Sequence, residues 1–186
     1  KETGRFIMLI GHNITIRPYR GRRPRISEKA HIFENVSIYG DVTICEGCVI
    51  LPGCVIRSEY FPIVIGKNCI LQDMVCLHDD CDGGGITIGE NVAVGHRAIV
   101  HACTIHDNTL IGMGAVVQDK AVIGKNCLIG AGAVVPEGTA IRDGMVALGV
   151  PAKEKRAVTE KDISYIRITI EEYHTFAREY LEGGYE

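Results

Sequence analysis

"LIGMGAVVQDKAVIGKNCLIGAGAVV", Leu110 to Val135, repeats itself every six residues. Ile111, Val117, Ile123, Ile129 and Val135 mark the step. Two residues before each stands a small or β-branched side chain: Thr109, Ala115, Ala121, Cys127, Ala133. One residue after, Gly is common, as at Gly112, Gly124 and Gly130. Six is a multiple of two, so the aliphatic residue and the one two before it share a strand face. An α-helix is excluded, because six residues advance about 600° and the aliphatics would spiral round its axis. Gly just past each aliphatic fits a tight corner with unusual φ.

The same step extends in both directions. Upstream it runs through Ile26, Ile32, Ile38, Ile44, Ile50 and Ile56, then Ile65, Leu71 and Leu77, then Ile88, Val94 and Val100. After Ile105 it continues unbroken to Ile141 and Ala147. Short strands turned at a corner every six residues make a three-sided coil of about eighteen residues. Such coils stack at strand spacing, roughly 4.8 Å. The expected fold is mainly β: a parallel β-helix of about seven coils over residues 26–150. Its aliphatics fill a narrow prism, so 6% aromatic residues suffice for the core.

Composition narrows the remaining choices. The 186 residues carry a formal net charge of -3 and no apolar run of membrane-spanning length, roughly 18 residues. Neither nucleic acid nor membrane is an expected partner. The arginine-rich "RPYRGRRPR", Arg17 to Arg25, reads as a solvated strand or a subunit-interface feature. The start, "KETGRFIMLIG", lacks the layout of a signal peptide, which points to the cytoplasm. Residues 1–25 are expected to form an N-terminal strand or cap. Of eight cysteines, Cys48, Cys54, Cys69, Cys103 and Cys127 stand two before an aliphatic step position, so they read as small buried side chains. Cys45 faces outward, so "CEGC" is not a zinc pair, and disulfides are not expected.

Residues 151–186 read as a linker and an amphipathic helix. Thr159 with Asp162 resembles a capping box. Ile163, Ile166, Ile170, Tyr173, Ala177 and Tyr180 follow three- and four-residue steps, and Gly183 and Gly184 end the run. His174, within that helix, reads as a surface residue.

The departures from the period gather in the middle coils. From Ile56 to Ile65 the step is nine residues, and from Leu77 to Ile88 it is eleven, carrying "HDDCDGGG". A one-residue deletion follows Val100. Loops on a rigid scaffold are where function concentrates. Ile56, Leu77 and Val100 fall on one side of successive coils, so Arg57, His78 and His101 stack and point outward. Two such imidazoles, roughly 5 Å apart at the strand, can share a cation. His96 sits at the corner of another side and cannot readily complete their site within one chain. Against a second chain it can, and three prisms around a threefold axis would make three such seams. Three imidazoles with one open position are the ligand set of a catalytic zinc. Gln72 is placed to hydrogen-bond a nucleophile there, and Arg57 to ion-pair across the seam. His106 falls on the next side, and His12 and His31 have no evident partner.

At these residues the chain resembles the γ-class carbonic anhydrases of the hexapeptide-repeat, left-handed β-helix family. "VIRSE", "ILQDMVCLH", "VGHRAIVHACTIHDN" and "LIGMGAVV" carry the resemblance, which covers about Ile26 to Val150. It implies left-handed coils and a homotrimer with zinc, or iron or cobalt, at each interface. His78 and His101 would come from one chain and His96 from its neighbour. The implied reaction is reversible hydration of carbon dioxide by a metal-bound hydroxide oriented by Gln72. Arg57 and Glu59 would support the interface. "RSE" replaces the usual "RGD", Ile70 replaces a frequent Asn, and no glutamate matches the family's proton shuttle. Asp79, Asp80 and Asp82 are the acidic residues in the adjoining loop. Two rival classes share the prism: acyltransferases that use one histidine as base, and non-catalytic metal-binding or assembly subunits.

Overall fold

The computed structural model describes residues 8–9 and 11–183. The readings of the first residues, and of Gly184 as a helix stop, lie outside these. The chain winds into a left-handed parallel β-helix. Two faces are seven-stranded sheets and the third is nine-stranded, so the chain makes seven coils. Every strand of the seven-stranded sheets pairs with one three strands away in sequence, as a coil with three sides requires. The step residues fill the prism, from Ile32 and Ile38 to Ile129 and Val135, all fully buried. Burying an Ile or Val side chain stabilises by roughly 1.5–3 kcal/mol, which lets a core without aromatics hold.

The corners differ from expectation. Gly66, Gly89, Gly95, Gly112, Gly124 and Gly130 do not adopt positive φ. Their need is space: a Cβ on Gly66 would lie 2.3 Å from the Gly89 carbonyl oxygen, and one on Gly112 2.4 Å from the Ala131 nitrogen. Positive φ falls two residues after Gly66, Gly89 and Gly124, at Asn68, Asn91 and Asn126, and at the matching Asn108, with φ of 53–56°. Asparagine tolerates this left-handed region. Its amides also bond from coil to coil, Asn68 Nδ2 to Asn91 Oδ1 and Asn91 Nδ2 to Asn108 Oδ1, both at 3.2 Å.

The ladder starts ahead of Ile26. Thr15–Arg17 pairs in parallel with Ser37–Tyr39, and Ile14 and Ile16 pack on the core. The segment read as a linker also contributes a strand. Lys153–Ala157 pairs antiparallel with Met145–Leu148 and closes the edge of the nine-stranded sheet. The cysteine reading is as expected: the five step-matched cysteines are buried, and all eight are free thiols. Cys48, Cys69 and Cys127 each donate Sγ–H to a backbone carbonyl of the next coil at 3.0 Å.

The helix, Glu160–Leu181, begins with the expected capping box of Thr159 and Asp162. It lies over the nine-stranded sheet, where Ile166, Ile170 and Ala177 bury Val49, Ile70 and Ala93. Ile70 is thus a helix-packing residue. His174 is not a surface residue, because helix docking half-buries it and brings its Nε2 to 2.9 Å from the Gly47 carbonyl. Among the described residues, no helix is long and apolar enough to cross a membrane.

Candidate metal centre

Register brings the first set of residues together. His78 pairs with Arg57 on one side and His101 on the other, on the same seven-stranded sheet. Core neighbours Leu77 and Val100 point inward, so the imidazoles point outward. Nδ1 of His78 and Nε2 of His101 then stand 2.9 Å apart. The remaining nitrogens carry carboxylates. Glu59 Oε2 lies 2.9 Å from His78 Nε2, and Asp119 contacts His101 Nδ1. An ionised carboxylate can only accept, so each of those nitrogens carries the proton. With both rings neutral, the two facing nitrogens would each present a lone pair, which a shared cation would bridge.

The nine-residue step explains Glu59. Its loop is tied down by Asp79, one of the three acidic residues of the adjoining loop. Asp79 is fully buried. It accepts the backbone N–H of Glu59 at 2.9 Å, of Tyr60 at 2.6 Å and of Phe61 at 2.7 Å. Three donors converging on one carboxylate compensate its burial. Glu59 also contacts Arg57. The His78 hydrogen bond, aided by Arg57, holds the Glu59 carboxyl below the ordinary glutamate range. Among the described residues, Glu59, His78 and Asp79 bring ligand-type atoms within 4.8 Å of one another. With Asp79 saturated by backbone donors, that group works as a tether.

His96 and Gln72 form a second set at the corner after the nine-stranded sheet. Gln72 is buried and its Oε1 accepts the His96 backbone N–H at 3.0 Å. Asp73 Oδ2 lies 2.8 Å from His96 Nδ1, and the Tyr173 hydroxyl lies 3.2 Å from its Nε2. Burial, with the nearby Asp73 charge, raises the Tyr173 phenol above its ordinary value. The chain thus holds Arg57, Glu59, His78 and His101 on one sheet face and Gln72 and His96 at a neighbouring corner. His106 is exposed, and His12 is exposed.

Each of the three histidines therefore has a carboxylate on its far nitrogen: Glu59, Asp119 and Asp73. This is the support that metal-ligating imidazoles characteristically have. Two nitrogens 2.9 Å apart can both lie roughly 2.1 Å from one ion. The donor set fits a metal. Asp119 and Asp73 escaped the sequence reading, although Asp119 follows the next step residue, Val117, by two and so was findable by the same count.

Comparison with known proteins agrees with the fold. The family described as bacterial transferase hexapeptide (six repeats) matches residues 23–58 and 102–137. A carbonic anhydrase of Geobacillus kaustophilus is 41% identical over 91% of this chain and 88% of that protein. Gamma carbonic anhydrase 2, mitochondrial, of Arabidopsis thaliana is 34% identical over 66% of this chain and 46% of that protein. The crystal structure of a putative acetyltransferase from Bacillus cereus superimposes with a TM-score of 0.87, at 36% identity, covering 91% of this chain and 98% of that one. The chain belongs to the hexapeptide-repeat, left-handed β-helix family, and within it to the proteins resembling γ-class carbonic anhydrases.

Proposed function

We propose that this chain is a γ-class carbonic anhydrase-like enzyme, a lyase that hydrates carbon dioxide reversibly at a metal site shared between subunits of a homotrimer. The observation that carries this reading is the approach of His78 Nδ1 and His101 Nε2 to 2.9 Å on adjacent strands. His78 and His101 would hold the metal together with the partner subunit's His96. The metal we place there is zinc, with iron or cobalt as alternatives. A bound divalent metal supplies Lewis acidity and lets water act as a nucleophile near neutral pH.

The chain's own residues do the rest. Glu59 and Asp119 fix the tautomers of His78 and His101, so that the metal-facing nitrogens are unprotonated. Asp73 does the same for His96, leaving its Nε2 as the ligand atom. Gln72, anchored through its Oε1, orients the attacking water from the cleft it shares with His96 and Tyr173. Arg57 holds Glu59 in place. The trimer is supported by an uncovered apolar stripe on the histidine-bearing sheet. Val55, Cys76, Ile99, Val116 and Val134 stack there in register, with Val55 38% and Ile99 41% exposed.

A second reading, acyl transfer with His96 as general base, is favoured by the Asp73–His96 pair alone. Metal analysis with stopped-flow carbon dioxide hydration separates the two. Metal near one per chain and hydration lost in His101→Ala are expected. Acetyl-coenzyme A consumption without metal would support the second reading. His96→Ala and His101→Ala protomers, each without metal, should regain sites when mixed, and no recovery would sink the shared site.

A further inference from the structure

We infer that a second copy of this chain inserts its Arg17 side chain into an aromatic and acidic pocket beside the helix. This rests on the shared seam proposed above. The pocket has a volume of about 560 Å³ and lies between the corner that carries His96 and the second half of the helix. Its walls are rings. Phe33 meets Tyr180 edge-on at 5.5 Å, and Tyr173 meets Phe176 at 5.8 Å. Phe176 and Tyr180 remain 46% and 43% exposed. Glu34, Asp73 and Glu179 place carboxylates around the rings, and no lysine or arginine lines the pocket. Aromatic faces beside carboxylates select a planar cation, and guanidinium suits both.

The matching cation stands on the uncovered sheet. Register aligns Arg17 with Tyr39, Tyr39 with Arg57, Arg57 with His78, and His78 with His101. Arg57 is engaged by Glu59, whereas Arg17 is exposed and has no carboxylate partner among the described residues. The heights agree. His96 turns the same coil as His101, Asp73 that of His78, Pro52 that of Arg57, and Glu34 that of Tyr39. The pocket therefore spans the three coils that carry Tyr39, Arg57 and His78. Its far end, where Tyr180 touches Phe33, is level with Tyr39, one rung from Arg17. A rung is roughly 4.8 Å, within the reach of an arginine side chain. When the partner's His96 meets His78 and His101, the partner's Glu179 and Tyr180 come level with the arginine end of that column. The arginine-rich segment thus becomes an interface element, and the helix serves the neighbouring chain as well as its own.

Arg17→Glu and Glu179→Arg test this, separately and together in one chain, with the trimer–monomer midpoint measured by sedimentation equilibrium in 0.15 M salt. Each single change should raise the midpoint concentration by about tenfold or more. The double change should bring it back to within about threefold of the wild type, because the swapped charges meet again across every seam. Both positions are exposed, so circular dichroism and monomer melting should not change. A midpoint unmoved by Arg17→Glu, or a double variant no better than the singles, overturns the inference. If that happens while the wild type is trimeric and His96→Ala loses metal, the shared-seam reading survives. A wild type monomeric at micromolar concentration overturns both.

Discussion

The outer face of the nine-stranded sheet and that of the histidine-bearing sheet are built alike but finished differently. Both carry a row of outward aliphatics, Val49, Ile70 and Ala93 on one, and Val55, Ile99, Val116 and Val134 on the other. The chain covers the first with its own helix, and Ile70 becomes fully buried. The second has no cover among the described residues, and Ile99 stays 41% exposed. The third face is mixed, with Thr43, Thr87 and Thr104 pointing out in one row with Val64 and Val122. The periodic core builds all three faces the same way. What each face does is set by its outward residues and by what the chain adds after the last coil.

The sharpest break of this comparison is one charge on each of the two surfaces. Ile170→Asp should destabilise the chain by about 3 kcal/mol or more, because an unpaired carboxylate would be buried under the helix. Ile99→Asp should leave the monomer's denaturation curve within about 0.5 kcal/mol of wild type and abolish the trimer. Urea denaturation and sedimentation measure the two. Equal destabilisation by both would show that the histidine-bearing face is not a contact surface.

Asp79→Ala comes next. It strands three backbone donors, at about 1–3 kcal/mol for a typical buried group. It should also release Glu59 from His78. Hydrogen exchange at residues 59–61 and thermal melting are the measurements, and an unchanged exchange pattern would remove Asp79 as the tether.

A smaller effect concerns pH and the helix. Burial, and the charge of Arg178, hold His31 and His174 below the ordinary histidine value of 6.5. His31 also feels His174, and its Nδ1 is buried without a partner. Both histidines take up protons less readily in the docked state than in the unfolded chain. Their contribution is therefore fully present above pH 6.5 and declines as pH falls through it. Melting temperature should drop between pH 7.5 and 5.5, and drop less in His174→Gln. The same drop in that variant would show that helix docking is not involved. The smallest effect is Asn91→Ala, about 1 kcal/mol, since its φ of 53° disfavours alanine and two amide bonds disappear. A neutral result by urea denaturation would mean that the asparagine ladder is decorative.

Much of this was legible in the sequence because the period of six is a direct count of strand faces. Stacking Arg57, His78 and His101 required only arithmetic, and the register follows it. The role of the corner glycines was misread, because spacing does not distinguish a residue that needs φ from one that needs room. The aspartates stayed hidden for another reason. Asp79, Asp119 and Asp73 act through orientation across coils, while a sequence shows only that an acid is near a loop. The N-terminal segment read as a strand or cap, and Thr15–Arg17 could not be placed within it because ten residues separate Ile16 from Ile26, which breaks the count.

The facing histidines hang from adjacent rungs of one backbone ladder, so their separation is inherited from strand spacing. It behaves as a caliper whose frame is fixed by the ladder and whose opening the two imidazoles set. On the proposed function, that frame would set two ligand positions and the third would arrive on another molecule. Selection among ions of different size would fall to how closely that molecule settles. Substitutions far from any ligand, on the apolar stripe or at Arg17, would tune metal preference, while exchanging the ligands themselves would only destroy it.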